Sequence, residues 1–112
     1  MILNLEQQGN ITRAVLDGRL DAAGIAAIEA QFAAHCAAKP NLIVDLSKVS
    51  FIASIGIRML VAGAQAQTKI GGKLVLLKPD DMARRILKTT GIDQLMQVYD
   101  SLQDATAAFA AK

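Results

Sequence analysis

Two apolar runs, Asn41-Leu42-Ile43-Val44-Asp45-Leu46 and Lys73-Leu74-Val75-Leu76-Leu77, enclose a segment in which Ile57, Leu60, Val61 and Ala64 recur at helical spacing. A strand, a helix and a strand in that order cannot close as a hairpin; they form a parallel pair joined by a right-handed crossover. Strands this continuously apolar need cover toward the helices and at least partial cover on the other face. The rest of the chain is read around that unit. Leu3 and Leu5 alternate with Asn4 and Glu6, and after Gly9-Asn10 the run Ile11 to Leu16 resumes an extended pattern, so an antiparallel hairpin is expected, ending at Asp17-Gly18. The predicted fold class is therefore α/β: a mixed sheet built from an N-terminal hairpin plus parallel strands, with helices mainly on one face.

Local signals place the remaining elements. The Asp21 carboxylate is expected to cap a helix running to about Ala38, with Ile25, Ile28 and Phe32 buried and Lys39-Pro40 as the stop. The central helix is expected to run to about Ile70, closed by Gly71-Gly72. Pro79-Asp80-Asp81 starts a short helix carrying Met82, Ile86 and Leu87, ended by Gly91. Gln97-Val98-Tyr99 reads as a brief last strand, and Ser101 opens a final helix with Leu102, Ala105 and Phe109 inward. No repeat, linker or low-complexity segment interrupts the pattern, and 112 residues with 53% hydrophobic content suit one domain over 1–112.

Composition removes several function classes. A net charge of +2, without a long run of one sign, lacks the electrostatic footprint of a duplex-binding protein. Arg58, Lys69, Lys73, Arg84, Arg85 and Lys88 are interleaved with Asp80, Asp81 and Asp93, and Phe51 and Tyr99 read as core, so nucleic acid is not an expected partner. The start Met1-Ile2-Leu3-Asn4-Leu5-Glu6 lacks the basic region and apolar run of a secretory signal, and no stretch reaches the length of a membrane span; a cytoplasmic location without direct membrane insertion is expected. Cys36, the single cysteine, reads as a small packing residue.

The residue that carries chemistry is Ser54, at the seam between strand and helix. As an ordinary N-cap it satisfies free N–H groups. As a phosphate acceptor it sits where the helix dipole tolerates negative charge, and a phosphate there changes the exposed face sharply. Gly56 and the small residues Ala62, Gly63, Ala64 and Ala66 let the helix approach the sheet, or a docking partner, closely. A hydrolase is disfavoured. Ile52-Ala53-Ser54-Ile55-Gly56 holds only the second glycine of a nucleophile elbow, and His35, the one imidazole, lies near the end of the preceding helix. Lys69-Ile70-Gly71-Gly72-Lys73 precedes a strand and lacks the hydroxyl of a phosphate-binding loop, no dinucleotide fingerprint occurs, and His35 and Cys36 point about 100° apart. Neither an enzyme, a cofactor nor a metal is expected.

The residues in this order resemble the STAS domain, the family named for sulfate transporters and anti-sigma factor antagonists, over essentially the whole chain. The resemblance rests on Leu16-Asp17-Gly18-Arg19-Leu20-Asp21, on Val44-Asp45-Leu46-Ser47-Lys48-Val49-Ser50-Phe51-Ile52, on Ser54 with Gly56, and on Gly71-Gly72-Lys73-Leu74 and Ile86-Leu87-Lys88-Thr89-Thr90-Gly91-Ile92. It implies a stand-alone bacterial anti-sigma factor antagonist that captures an anti-sigma factor serine kinase, is released when that kinase phosphorylates it, and is reset by a serine phosphatase. By the same resemblance Ser54 is the phosphoacceptor, and Asp21, Ala53, Ser54, Ile55, Gly56 and Arg58 form the partner-binding set. Ala53 stands where the family has aspartate, and Ile55 where it has a second hydroxyl. These departures define the alternative, a non-phosphorylated STAS subunit of a transporter or lipid-trafficking complex.

Overall fold

The computed structural model describes residues 1–110. Five strands, β1 (Ile2–Gln8), β2 (Ile11–Leu20), β3 (Leu42–Ile52), β4 (Leu74–Leu77) and β5 (Val98–Tyr99), lie in that spatial order, with β1 antiparallel to β2 and every later pair parallel. The helices are α1 (Ala22–Ala38), α2 (Ser54–Lys69), α3 (Asp81–Thr89) and α4 (Leu102–Ala110), with a 3₁₀ turn at Ile92–Gln94. This is the expected mixed α/β architecture.

The two faces of the sheet carry separate apolar clusters. Leu3, Ala14, Leu16, Leu20, Leu42, Val44, Leu46 and Val49 meet Ile25, Ile28, Phe32, Leu60, Ala83 and Leu87 from α1, α2 and α3. Ile11, Ile43, Val75 and Leu77 meet Ala105 and Phe109 of α4 on the other side. Three helices on one face and one on the other explain why β4 is buried at all four positions.

Several boundaries differ from the sequence reading. Asp17-Gly18 does not end β2; the strand continues to Leu20 through register shifts on either side, and Gly18 takes φ +128° there. β3 runs on to Ile52 instead of stopping at Leu46, because this extension of β2 gives it a parallel partner, Leu20 opposite Ile52. Ser54 is not the N-cap of α2: Ala53 holds that position, and Ser54 is the first helical residue. The buried stripe of α2 is Gly56, Met59, Leu60, Gly63 and Gln67, so Ile57, Val61 and Ala64 are only half-buried on its flank. Phe51 and Tyr99 are likewise half-buried, and Met82 points outward.

Among the described residues Thr12, Asn41, Asp45 and Gln67 are buried polar side chains, and Gln67 bridges the most elements. Fully buried, it donates from Nε2 to the carbonyls of Cys36 (2.7 Å) and Lys39 (2.8 Å), while its Oε1 accepts the N–H of Asn41 at 2.8 Å. One side chain on α2 thus ties the end of α1 to the start of β3. Asn41 takes φ +72° at this junction, a conformation asparagine tolerates better than most residues.

Candidate functional site

Because β2 and β3 are parallel neighbours, the helices that follow them start at the same edge of the sheet. Each connection is one residue long, Asp21 after β2 and Ala53 after β3. The Ala53 N–H donates to the Leu20 carbonyl at 2.9 Å, fastening the two connections side by side.

Their chemistry differs. Asp21 Oδ1 accepts the N–H of Gly24 at 2.9 Å, and Oδ2 accepts from Arg19 Nε at 3.2 Å. The Gly24 N–H first, and then Arg19, hold the Asp21 carboxyl below the usual carboxylate range. Ala53 has extended backbone angles suited to a cap and no acceptor to offer, so no side chain caps α2. By contrast Asp80 Oδ1 accepts from Ala83 at the start of α3, and Ser101 Oγ from Asp104 at the start of α4.

Ser54, Ile55 and Arg58 are exposed on the first turns of α2; Ile55 is 40% exposed, a large apolar side chain held in solvent. Arg58 lies four residues beyond Ser54, on the same helix face. Gly56 faces the other way and is buried against Leu20 and Ile52. It lets the first turn of α2 approach the ends of β2 and β3. Thus Asp21, Ala53, Ser54, Ile55 and Arg58 share one edge of the molecule, with Gly56 beneath them.

Two neighbours escaped the sequence reading. Arg19, paired in register with Phe51, lays its guanidinium over that ring at 4.4 Å from the centroid while bonding Asp21. Together they wall the Asp21 side of the edge. An arginine two residues before a capping aspartate is the local signal; its stacking on Phe51 depends on a register that the sequence does not display.

His35 lies near the far end of α1, about 20 Å along the helix from Asp21 at 1.5 Å per residue. Its Nε2 is buried without a hydrogen-bond partner, and burial, with Lys39 nearby, lowers its pKa. It is therefore not placed to activate Ser54. Burial pushes the Cys36 thiol up to about 11, so it stays protonated and unreactive at neutral pH. Among the described residues no group of three or more His, Cys, Asp or Glu is placed to hold a metal ion, and no helix is long and apolar enough to cross a membrane.

A five-stranded mixed sheet with a serine on the first turn of the helix after its longest strand defines a small α/β domain. The STAS domain model matches residues 3–105, and the chain belongs to that family. It is 30% identical over 93 residues to the anti-sigma-F factor antagonist RsfB of Mycobacterium tuberculosis, covering 80% of this chain and 74% of RsfB. The crystal structure of an anti-sigma factor antagonist from Mycobacterium paratuberculosis superposes with a TM-score of 0.85 at 28% identity, covering 96% of this chain and 92% of that one. SpoIIAA, an anti-sigma factor antagonist and Bacillus cell-fate determinant, shares the fold: its unphosphorylated form superposes with a TM-score of 0.81 at 18% identity, covering 99% and 98% of the two chains. SpoIIAA is also known in a phosphorylated form.

Proposed function

We propose that this protein is an anti-sigma factor antagonist of the partner-switching kind, acting in the cytoplasm. Its site edge, made by Asp21, Ala53, Ser54, Ile55 and Arg58 over Gly56, binds an anti-sigma factor that is also a serine kinase. That kinase transfers the γ-phosphoryl group of ATP to Ser54 Oγ and releases the antagonist, and a serine phosphatase removes the phosphate. The observation that carries the reading is an exposed hydroxyl on the first turn of a helix whose N-terminus no side chain caps. RsfB and the M. paratuberculosis protein, both named antagonists, support the class.

The geometry accommodates both states. Unmodified, the edge offers Ile55 as an apolar contact beside a neutral hydroxyl. A phosphate on Ser54 adds roughly −1.5 to −2 charge at a place that the α2 dipole and Arg58 tolerate within the protein. Against a partner surface that has desolvated the same spot, that charge is repelled. The base and magnesium of the transfer belong to the kinase, so Ala53 does not prevent it.

Incubation with the cognate kinase and ATP tests this. A mass gain of about 80 Da that maps to Ser54 and disappears in Ser54→Ala is expected. The apolar pair Ala53 and Ile55 around the serine favours one other reading, a non-phosphorylated STAS subunit of a transporter or lipid-trafficking complex. That reading takes over if the kinase neither binds nor modifies the protein and membrane-complex subunits co-purify with it.

A further inference from the structure

Strand β1 is a bare edge. All seven of its residues pair with β2 on one side, and among the described residues nothing pairs with the other. Natural edges are blunted by charged side chains, lysine above all, by proline or by a bulge. Ile2-Leu3-Asn4-Leu5-Glu6-Gln7-Gln8 contains no lysine or proline, pairs without a register shift, and its one charge, Glu6, is paired with Arg13 of β2. Gln8 and Ile11 flank the two-residue turn at Gly9-Asn10 and so form the closing bonded pair. Alternation then turns the N–H and C=O groups of Leu3, Leu5 and Gln7 away from β2.

A second feature lies above this edge. α1 packs over β1 and β2, whereas α2 packs over β3 and β4. Glu29, Ala30 and Ala33 line the groove between α1 and α2. At 100° per residue, Ala27, Gln31, Ala34 and Ala38 therefore fall on the opposite flank, toward β1 and beyond it. All four are exposed, none is charged, and Glu29 is the only carboxylate in the helix. A helix apolar on nearly every side is normally covered on more than one.

We propose that a second copy of this chain covers both features at once, in a two-fold dimer in which β1 pairs antiparallel with β1 of the partner. The register is fixed by the residues. A two-fold axis through Leu5 uses the whole strand, with Ile2 opposite Gln8, Leu3 opposite Gln7 and Asn4 opposite Glu6, so that no like charges face each other. A two-fold axis at Glu6 would set two carboxylates against each other. Leu5, 38% exposed and on the same side of the strand as Leu3, meets its own copy on the axis.

Geometry brings the helices along. Strands lie about 4.8 Å apart, so two α1 helices, each seated over the β1–β2 pair, come to roughly 10 Å from one another. That is a helix-packing distance, suited to flanks made of alanine. The assembly is closed and isologous, a continuous ten-stranded sheet, and it leaves the Ser54 edge, at the ends of β2 and β3, outside the contact.

Sedimentation velocity of the full chain from about 1 μM to about 1 mM reads the proposal directly. A reversible species of twice 11.8 kDa is expected to appear as concentration rises. Leu5→Lys puts like charges on the axis, and Ala34→Glu does so between the helix flanks; each is expected to weaken dimerisation at least tenfold with the circular dichroism spectrum unchanged. Leu5→Pro, which removes only an outward N–H, is expected to do the same. Ala30→Glu, on the groove side of α1, is expected to leave the dimer intact. A monomer throughout the range, or a dimer indifferent to Leu5→Lys and Ala34→Glu, overturns the proposal. Kinase binding through the Ser54 edge is read separately and stands or falls on its own.

Discussion

Gly56 lies directly against Leu20: a Cβ placed on the glycine would stand 3.0 Å from both the Cβ and the carbonyl oxygen of Leu20, and 3.3 Å from Ile52 Cγ2. That carbonyl is the one accepting the Ala53 N–H. A side chain at 56 therefore levers the first turn of α2 off the strand ends and strains the bond that holds the two connections together. Overpacking costs about 1–3 kcal/mol, against about 1 kcal/mol gained by replacing a helical glycine with alanine. Gly56→Ala is expected to lose about 1 kcal/mol and Gly56→Val about 3 kcal/mol in urea denaturation. Both should also weaken partner binding by displacing Ser54, although residue 56 itself does not face the partner.

Gln67 sets a second prediction. Its amide satisfies two carbonyls and one N–H at the junction of α1, α2 and β3; the bonds with Cys36 and Asn41 are buried and that to Lys39 is partly so. Gln67→Leu keeps the volume and leaves those groups without partners, each costing on the order of 1 kcal/mol or more. A loss of about 3 kcal/mol is expected by thermal and urea unfolding, with Gln67→Glu also destabilising because a carboxylate cannot donate to the carbonyls of Cys36 and Lys39.

What the sequence revealed and what it hid divide along the range of the interaction. The hairpin at Gly9-Asn10, the Asp21 cap and the stop at Gly91, with φ +77°, are local signals, and each marks an element end that the structure shows. Gln67 was illegible because a glutamine at a helical position reads as solvent-facing unless the carbonyls of another helix are known to be beside it. Arg19 over Phe51 was hidden for the same reason, since the pairing passes through two register shifts in β2. Ser54 was displaced by one position from the cap: its hydroxyl made it the natural choice, but the hydrogen bond from Ala53 to Leu20 anchors the earlier residue instead.

Asp45 predicts how stability responds to acid. Its fully buried carboxylate takes the N–H of Ser47 at 2.9 Å and Arg13 Nη2 at 2.6 Å, and Glu6 lies 3.4 Å from the same guanidinium. Burial alone would raise its pKa, yet the bonds from Ser47 and Arg13 prevail and the pKa is lowered. A carboxyl whose pKa is lower folded than unfolded contributes stability that is complete above the unfolded value, about 3.9, and is lost as pH falls through the folded one. The Asp45 contribution should therefore be flat from pH 7 to about 5 and decline below about 4, whereas His35, whose pKa burial lowers, already removes stability as pH falls through the unfolded imidazole value of about 6.5. Asp45→Asn is expected to lose about 3 kcal/mol at pH 7, leaving Arg13 only its longer, exposed pairing with Glu6, and to show a shallower acid decline.

Ala53 predicts a gain. Its φ −90° and ψ 169° are those of an N-cap, so Ala53→Asp can supply the missing acceptor without moving the backbone. About 1 kcal/mol of added stability is expected, seen as a rise in Tm of roughly 3–5 °C for a domain of this size. The same change puts a carboxylate beside Ser54. If the apolar flank is what the partner reads, the variant binds the cognate anti-sigma factor less tightly although it is more stable.

Ser54 gives the test in which folding and binding must move in opposite directions. A negative charge on the first turn of α2 favours the helix by about 0.5 kcal/mol, so Ser54→Glu is expected to melt at or slightly above the parent temperature. At the contact the same charge is desolvated against a surface shaped for a neutral hydroxyl, and affinity for the cognate kinase is expected to fall by one to three orders of magnitude. Ser54→Ala is expected to bind like the parent but to stay bound when ATP is added, because there is no oxygen to receive the phosphoryl group. Calorimetric titration of the three proteins, with and without ATP, separates these outcomes. Equal affinities for Ser54→Glu and the parent would show that Ser54 lies outside the contact, and the partner-switching reading would then fail.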